Sequence, residues 1–143
     1  MYLLDTNVIS ELRKAKSGKS DKQVIKWAKS VSTGALFLSV ITILELERGI
    51  LLCERRDAAQ GAMLRAWLNA SVLPAFSDRI LSVDTAVAQY CAKLHVPDPC
   101  SDRDAIIAAT ALVHGMVIVT RNIADFQSTG VKLLNPWDIH KTF

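Results

Sequence analysis

Four places in this 143-residue chain concentrate acids or their amides at the boundaries of predicted elements: Asp5-Thr6-Asn7, Glu45, Asp102-Arg103-Asp104, and the stretch from Asn122 to Asp125. Each has a local explanation. Asp5 can start the turn into a helix, and acids at helix N-termini are favoured by the macrodipole. Thr42-Ile43-Leu44-Glu45 fits a capping box, with the glutamate in the first turn reaching back to the N-cap amide. Taken together, however, carboxylates at one end of a sheet repel one another unless a cation neutralises them. Oxygen-only donors suit Mg²⁺ or Mn²⁺, and the absence of His/Cys clustering argues against zinc. The chemistry this combination suggests is metal-assisted hydrolysis of a phosphodiester, in which the ion activates water and offsets charge on phosphate oxygens. His95, His114 and His140 have neither nucleophile-partner nor ligand spacing, and His114 before Gly115 reads as a helix C-terminus.

The elements that must position these acids follow from hydrophobic pattern and punctuation. Tyr2-Leu3-Leu4 is a short strand running into Asp5. Val24, Trp27, Ala28 and Val31 repeat at helical spacing, and Leu36-Phe37-Leu38 is the next strand. A helix from Thr42 carries Ile43, Leu46, Ile50 and Leu51. A second, with Met63, Leu64, Trp67 and Leu68, packs on it as a hairpin and stops before Pro74. Ile80 to Val83 reads as a strand, and Asp84 caps a helix carrying Val87, Tyr90, Cys91 and Leu94. A small-residue helix from about Asp104 to His114 hands over through Gly115 to the strand Met116–Val119. This alternation predicts a three-layer α/β domain with a mostly parallel central sheet flanked by helices, occupying 1–143 as one domain. The ligand site of such a sheet lies beyond the carboxyl ends of its strands, where Asp5 and the Thr120 to Asp125 segment emerge.

Half the residues are hydrophobic and 22% are charged, a globular balance that excludes a disordered or repetitive chain. Acids in the first eleven residues and the lack of a long apolar window argue against a secretory leader and a membrane span. Three cysteines without a CxxC pair read as reduced structural thiols, and the expected location is the cytoplasm. The net charge of +3 is uneven: seven basic residues against Asp21 between Arg13 and Lys29 give that segment +6, leaving −3 elsewhere. A polyanion such as RNA accounts for this asymmetry, as does a solvated lysine-rich surface. Nucleotide-cofactor loops of the GxGxxG or GxxxxGK[ST] type are absent.

Several blocks together carry a resemblance. LLDTNVISE from Leu3, SVITILEL from Ser39, DAIIAATA from Asp104, VTRN from Val119 with Asp125-Phe126, and LNPW from Leu134 follow one order along the chain. In this the sequence resembles PIN-domain ribonucleases of the VapC/FitB-like toxin type. The resemblance implies a Mg²⁺- or Mn²⁺-dependent endoribonuclease serving as the toxin of a type II toxin–antitoxin pair. It implies Asp5, Glu45 and Asp104 as the acidic, metal-holding triad and Asp125 as a fourth catalytic acid, with Asn122 the competing position. Thr6, Asn7, Thr120 and Asn122 would support the acids. It also implies a homodimer, a cognate antitoxin, and contact with operator DNA only through that antitoxin.

Arg13, Lys14, Arg48 and Arg121 are candidates to meet RNA phosphates, against the reading of surface charges or salt bridges. Trp27, Trp67 and Trp137 suit packing better than base stacking, and the apolar surplus between Thr42 and Ala70 suits a dimer or antitoxin surface. Removal of Asp5 is expected to abolish cleavage without unfolding the protein, because it relieves carboxylate repulsion at a site whose acids are not there for stability. Two other functions compete. One is a binding module acting through an antitoxin–operator complex with weak or no nuclease activity. The other is a phospho-acceptor domain, disfavoured because Asp5-Thr6-Asn7 lacks a second aspartate.

Overall fold

The computed structural model describes residues 1–139, so that His140 lies outside the described residues. Five short strands form one sheet: β1 (Tyr2–Leu4), β2 (Leu36–Ser39), β3 (Ile80–Leu81), β4 (Val117–Val119) and β5 (Leu133–Leu134). Their order is β3-β2-β1-β4-β5, and the pairings along it are parallel, with Leu3 beside Phe37 on one side and Ile118 on the other. The chain lays β1, β2 and β3 outward in one direction and then returns to set β4 and β5 on the opposite side of β1. The order therefore reverses between β1 and β4, and the carboxyl ends of strands at such a switch point are where sheets of this kind bind ligands.

The helices are α1 (Thr6–Arg13), α2 (Lys22–Ser30), α3 (Val40–Arg56), α4 (Ala58–Trp67), α5 (Leu73–Ala75), α6 (Thr85–Leu94), α7 (Asp102–His114) and α8 (Ile123–Phe126). Alternation along the strands divides the core into two faces. Leu4 and Val119 point into a cluster with Val8, Trp27 and Ile50 of α1, α2 and α3 and with Leu68 and Val72, which follow α4. Leu3 and Ile118 point the other way, against Ile107, Ala108 and Ala111 of α7 and Phe126 of α8. Both faces are covered, which is why the central strands read as unbroken apolar runs. The alanines of α7 let its backbone lie close to the sheet, and Gly115 closes that helix with a φ of 66°.

Several elements differ from the sequence expectation. Helix α3 starts at Val40, because Ser39 Oγ accepts the Ile41 amide at 3.0 Å and is the true cap. Thr42 is thus a buried residue inside the first turn, and Glu45 is in the second turn, too far along to close a capping box. Helix α7 starts at Asp102 rather than Asp104. Pro74 does not end the second helix of the hairpin: α4 runs through a π-helical stretch, Leu68–Val72, into α5, whose first turn tolerates a residue lacking an amide hydrogen. Strand β3 is two residues long, and β5 was not anticipated because two leucines carry no periodicity.

The α3/α4 hairpin depends on one close approach. A Cβ placed on Gly61 would lie 2.7 Å from Glu54 Cα, so only glycine lets the two backbones meet there. Arg65 of α4 then bridges Glu47 and Glu54 of α3. No helix among the described residues is long and apolar enough to cross a membrane.

Candidate active site

Asp5 is fully buried where β1 ends and α1 begins. Its amide continues the sheet ladder to Val119 O at 2.9 Å, while its side chain caps the helix by accepting the Thr6 amide on Oδ1 at 2.8 Å. Oδ2 accepts Thr120 Oγ1 at 2.8 Å and Asn7 Nδ2 at 3.3 Å. Thr120 Oγ1 in turn accepts the Asn122 amide at 2.9 Å, and Asn7 Oδ1 accepts the Arg121 amide at 3.3 Å. The carboxylate thus joins the ends of β1 and β4. A buried carboxylate with these partners contributes to stability, so Asp5 is not placed there for chemistry alone.

Glu45 projects from the second turn of α3, where its Oε1 accepts Thr6 Oγ1 at 2.5 Å. Thr42 Oγ1, one turn earlier, lies 3.5 Å from the same hydroxyl. Asp104 comes from the first turn of α7, on the other face of the sheet. Between the three acids sits a residue that sequence reasoning overlooked. Arg103 donates from Nε to Glu45 Oε2, from Nη1 to Asp104 Oδ1 at 2.5 Å, and from Nη2 to Asp5 Oδ1 at 2.5 Å. One guanidinium therefore holds a carboxylate from each of three elements, the farthest of them 98 residues away from it in the chain. The sequence reading gives it no role beyond its place between two acids. The signal available was an arginine next to a candidate metal ligand at the head of a helix whose following turns are otherwise small and apolar.

The electrostatics reflect this packing. Burial alone would lower the Arg103 pKa, but the hydrogen bond and charge of Glu45 and the charge of Asp5 reverse that and hold it above its usual range. Asp104 is shifted upward. Burial disfavours its charge, Arg103 partly restores it, and the nearby charges of Asp125 and Asp5 push it up again. Asp125, exposed on α8, acts on the cluster through this field; among the described residues it makes no hydrogen bond to Asp5, Glu45 or Asp104. Asn122 is exposed and supports Thr120 through its backbone only.

The basic candidates divide. Arg121 stands at the rim, its guanidinium over the Trp137 ring at 5.1 Å. Arg48 is exposed one turn beyond Glu45 on α3. Arg13 and Lys14 lie at the far end of α1, about 12 Å along the helix from Asp5. There Arg13 stacks on Trp67 and Lys14 pairs with Glu11, so neither joins the cluster. Trp27 is packed edge-on against Tyr2.

No three His, Cys, Asp or Glu side chains among the described residues already converge as a metal cage. The donor set nevertheless suits a hard cation: carboxylate oxygens alone face the guanidinium, and the guanidinium is itself a cation held by all three. Asp5, Glu45 and Asp104 are the residues that could bind a divalent ion there.

A parallel sheet in this order with acids at the β1/β4 switch point defines a known class, and the PIN domain profile matches residues 2–132. The chain belongs to the PIN-domain family, in its VapC/FitB-like branch. It is 36% identical to VapC ribonuclease Y4jK of Sinorhizobium fredii, over 96% of this chain and 99% of that protein. It is 35% identical to Toxin FitB of Neisseria gonorrhoeae, again over 96% and 99%. A solved structure of FitAB bound to an IR36 DNA fragment matches with a TM-score of 0.86 and 33% identity, covering 96% of each chain.

Proposed function

We propose that this chain is a cytoplasmic endoribonuclease dependent on Mg²⁺ or Mn²⁺, acting as the toxin of a type II toxin–antitoxin pair. The observation that carries the reading is the convergence of Asp5, Glu45 and Asp104 on one cation at the switch point of the sheet. The names of the relatives, a ribonuclease and a toxin, support the same conclusion. Asp5 and Asp104 would hold the ion directly, with Glu45 completing the set or taking a proton from the attacking water at Oε2. A bound divalent ion would supply a lowered water pKa and charge compensation on the phosphate. Thr6, Asn7 and Thr120 keep the carboxylates aimed, Asp125 and Asn122 border the opening, and Arg48 and Arg121 meet RNA phosphates beside it. A transfer RNA or another structured RNA is the substrate class we favour, since single-stranded loops expose the bond to be cut.

Leu44, Leu51, Leu52 and Met63 stand more than half exposed on α3 and α4, and this apolar surface supports a homodimer and an antitoxin partner. The similarity to FitAB bound to an IR36 DNA fragment supports a DNA-bound complex, and in our reading the operator is met by the antitoxin rather than by this chain. The test is incubation of antitoxin-free protein with total RNA and Mg²⁺ or Mn²⁺, with EDTA and Asp104→Asn controls and mapping of new ends. Discrete cuts lost in both controls are expected. Intact RNA with folded, ion-bound protein would instead favour the binding-module reading.

A further inference from the structure

We propose that Arg103 is a positioning residue that sets the affinity of the carboxylate cluster for its divalent ion, by occupying the ion's place until the ion displaces it. The inference rests on the metal-dependent reading above and concerns a residue which that reading leaves without a role.

The argument begins with the acceptor capacity of Asp5. A carboxylate has about four lone-pair positions, and Asp5 receives four donors: the Thr6 amide and Arg103 on Oδ1, Thr120 and Asn7 on Oδ2. An ion can bind Asp5 only by removing one of them. Three belong to the junction that ties β1, α1 and β4 together. Arg103 does not: it reaches in from α7 on a flexible side chain, and 31% of that side chain faces solvent. At Glu45, Thr6 occupies Oε1 and Arg103 occupies Oε2, so the carboxylate keeps further lone pairs but Arg103 competes there for Oε2. The oxygens that face the shared centre are thus the ones Arg103 takes.

The guanidinium also accounts for the lack of a ready-made cage among the described residues. It separates the three acids by its own width and supplies one positive charge against three negative ones. A small divalent ion needs those oxygens drawn closer and cannot share them with a cation at hydrogen-bond distance. Ion entry and departure of Arg103 are therefore one exchange, made toward the solvent that its side chain already meets.

The test measures Mn²⁺ binding by calorimetry on the full chain, comparing wild type with Arg103→Ala, each shown to be folded by circular dichroism. The proposal expects at least tenfold tighter binding by Arg103→Ala. A residue that merely braces the acids would change affinity in the opposite direction, so equal or weaker binding overturns the proposal while leaving the metal reading intact. No binding by either protein at millimolar Mn²⁺ overturns both. Should Arg103→Ala fail to fold, wild type decides the matter alone. The Arg103 Nε–H signal in ¹⁵N spectra is expected to shift in step with Mg²⁺ saturation, and a signal unmoved at saturation overturns the exchange.

Discussion

Thr120 donates a hydrogen bond from Oγ1 to Asp5 Oδ2 over 2.8 Å, with both side chains fully buried. Because Asp5 follows β1 and Thr120 follows β4, this bond joins the Asp5 amide bond to Val119 O in tying the two strand ends where the sheet order reverses. Thr120→Val removes a donor to a charged acceptor, and such bonds contribute about 1.5–3 kcal/mol. Urea unfolding of the variant is expected to show a loss in that range. Asp5→Ala should cost roughly 1–3 kcal/mol as well as all cleavage. A variant as stable as wild type would mean that repulsion among the acids outweighs the junction they form.

Thr6 links two of the acids, donating its amide to Asp5 and its hydroxyl to Glu45. Thr6→Val keeps the amide bond and the shape but leaves Glu45 Oε1 without its partner. Loss of a group that orients a metal-liganding carboxylate lowers activity or ion affinity by roughly 10–100-fold. Steady-state RNA cleavage should fall in that range while the melting temperature moves by only a few degrees. Unchanged turnover would remove Glu45 from the chemistry.

Asp104 titrates above its ordinary range because of burial and the charges of Asp125 and Asp5, with Arg103 only partly compensating. Its ionised form is therefore a net cost to the metal-free fold at neutral pH. A carboxyl group with a raised folded pKa stabilises the fold when protonated, and that contribution is lost as pH rises through the folded value. Asp104→Asn in EDTA should then be at least as stable as wild type at pH 7, by no more than about 1 kcal/mol after solvent screening. Wild type should regain ground as the pH falls toward about 4, the ordinary aspartate value. Denaturation curves at the two pH values provide the check, and a variant less stable at pH 7 contradicts the assignment.

Gly61→Ala would push a methyl group into the Glu54 backbone, where Cα is 2.7 Å away and no side-chain rotation relieves the clash. The α3/α4 hairpin must separate, at a cost of roughly 1–3 kcal/mol. Thermal melts should register this loss. Activity per folded molecule should persist, because the contact is two turns or more from Glu45 on α3.

Much of this protein is local in origin and so legible in its sequence. A short apolar run ending in Asp5, a small-residue helix closed by Gly115, and a strand ending in Thr120 each announce themselves through neighbours a few residues away. The alternation of strands and helices predicts a parallel sheet, and its carboxyl edge is where the acids emerge. The start of α3 was less legible, since Ser39 and Thr42 are both acceptable caps and only tertiary packing buries Thr42. The basic residues at Arg13 and Lys14 look close to Asp5 in the chain, yet a helix carries them about 12 Å away.

The role of Arg103 was decided by tertiary structure alone. Its partners lie 98 residues back on β1, 58 residues back on α3, and next to it on α7. No local spacing connects those positions. They meet because α3 and α7 approach the same edge of the sheet, and a long planar side chain can reach all three acids there at once. Sequence determined which carboxylates this protein possesses and the strands and helices that carry them. The cation they share depends on distances that exist only once both faces of the sheet are covered.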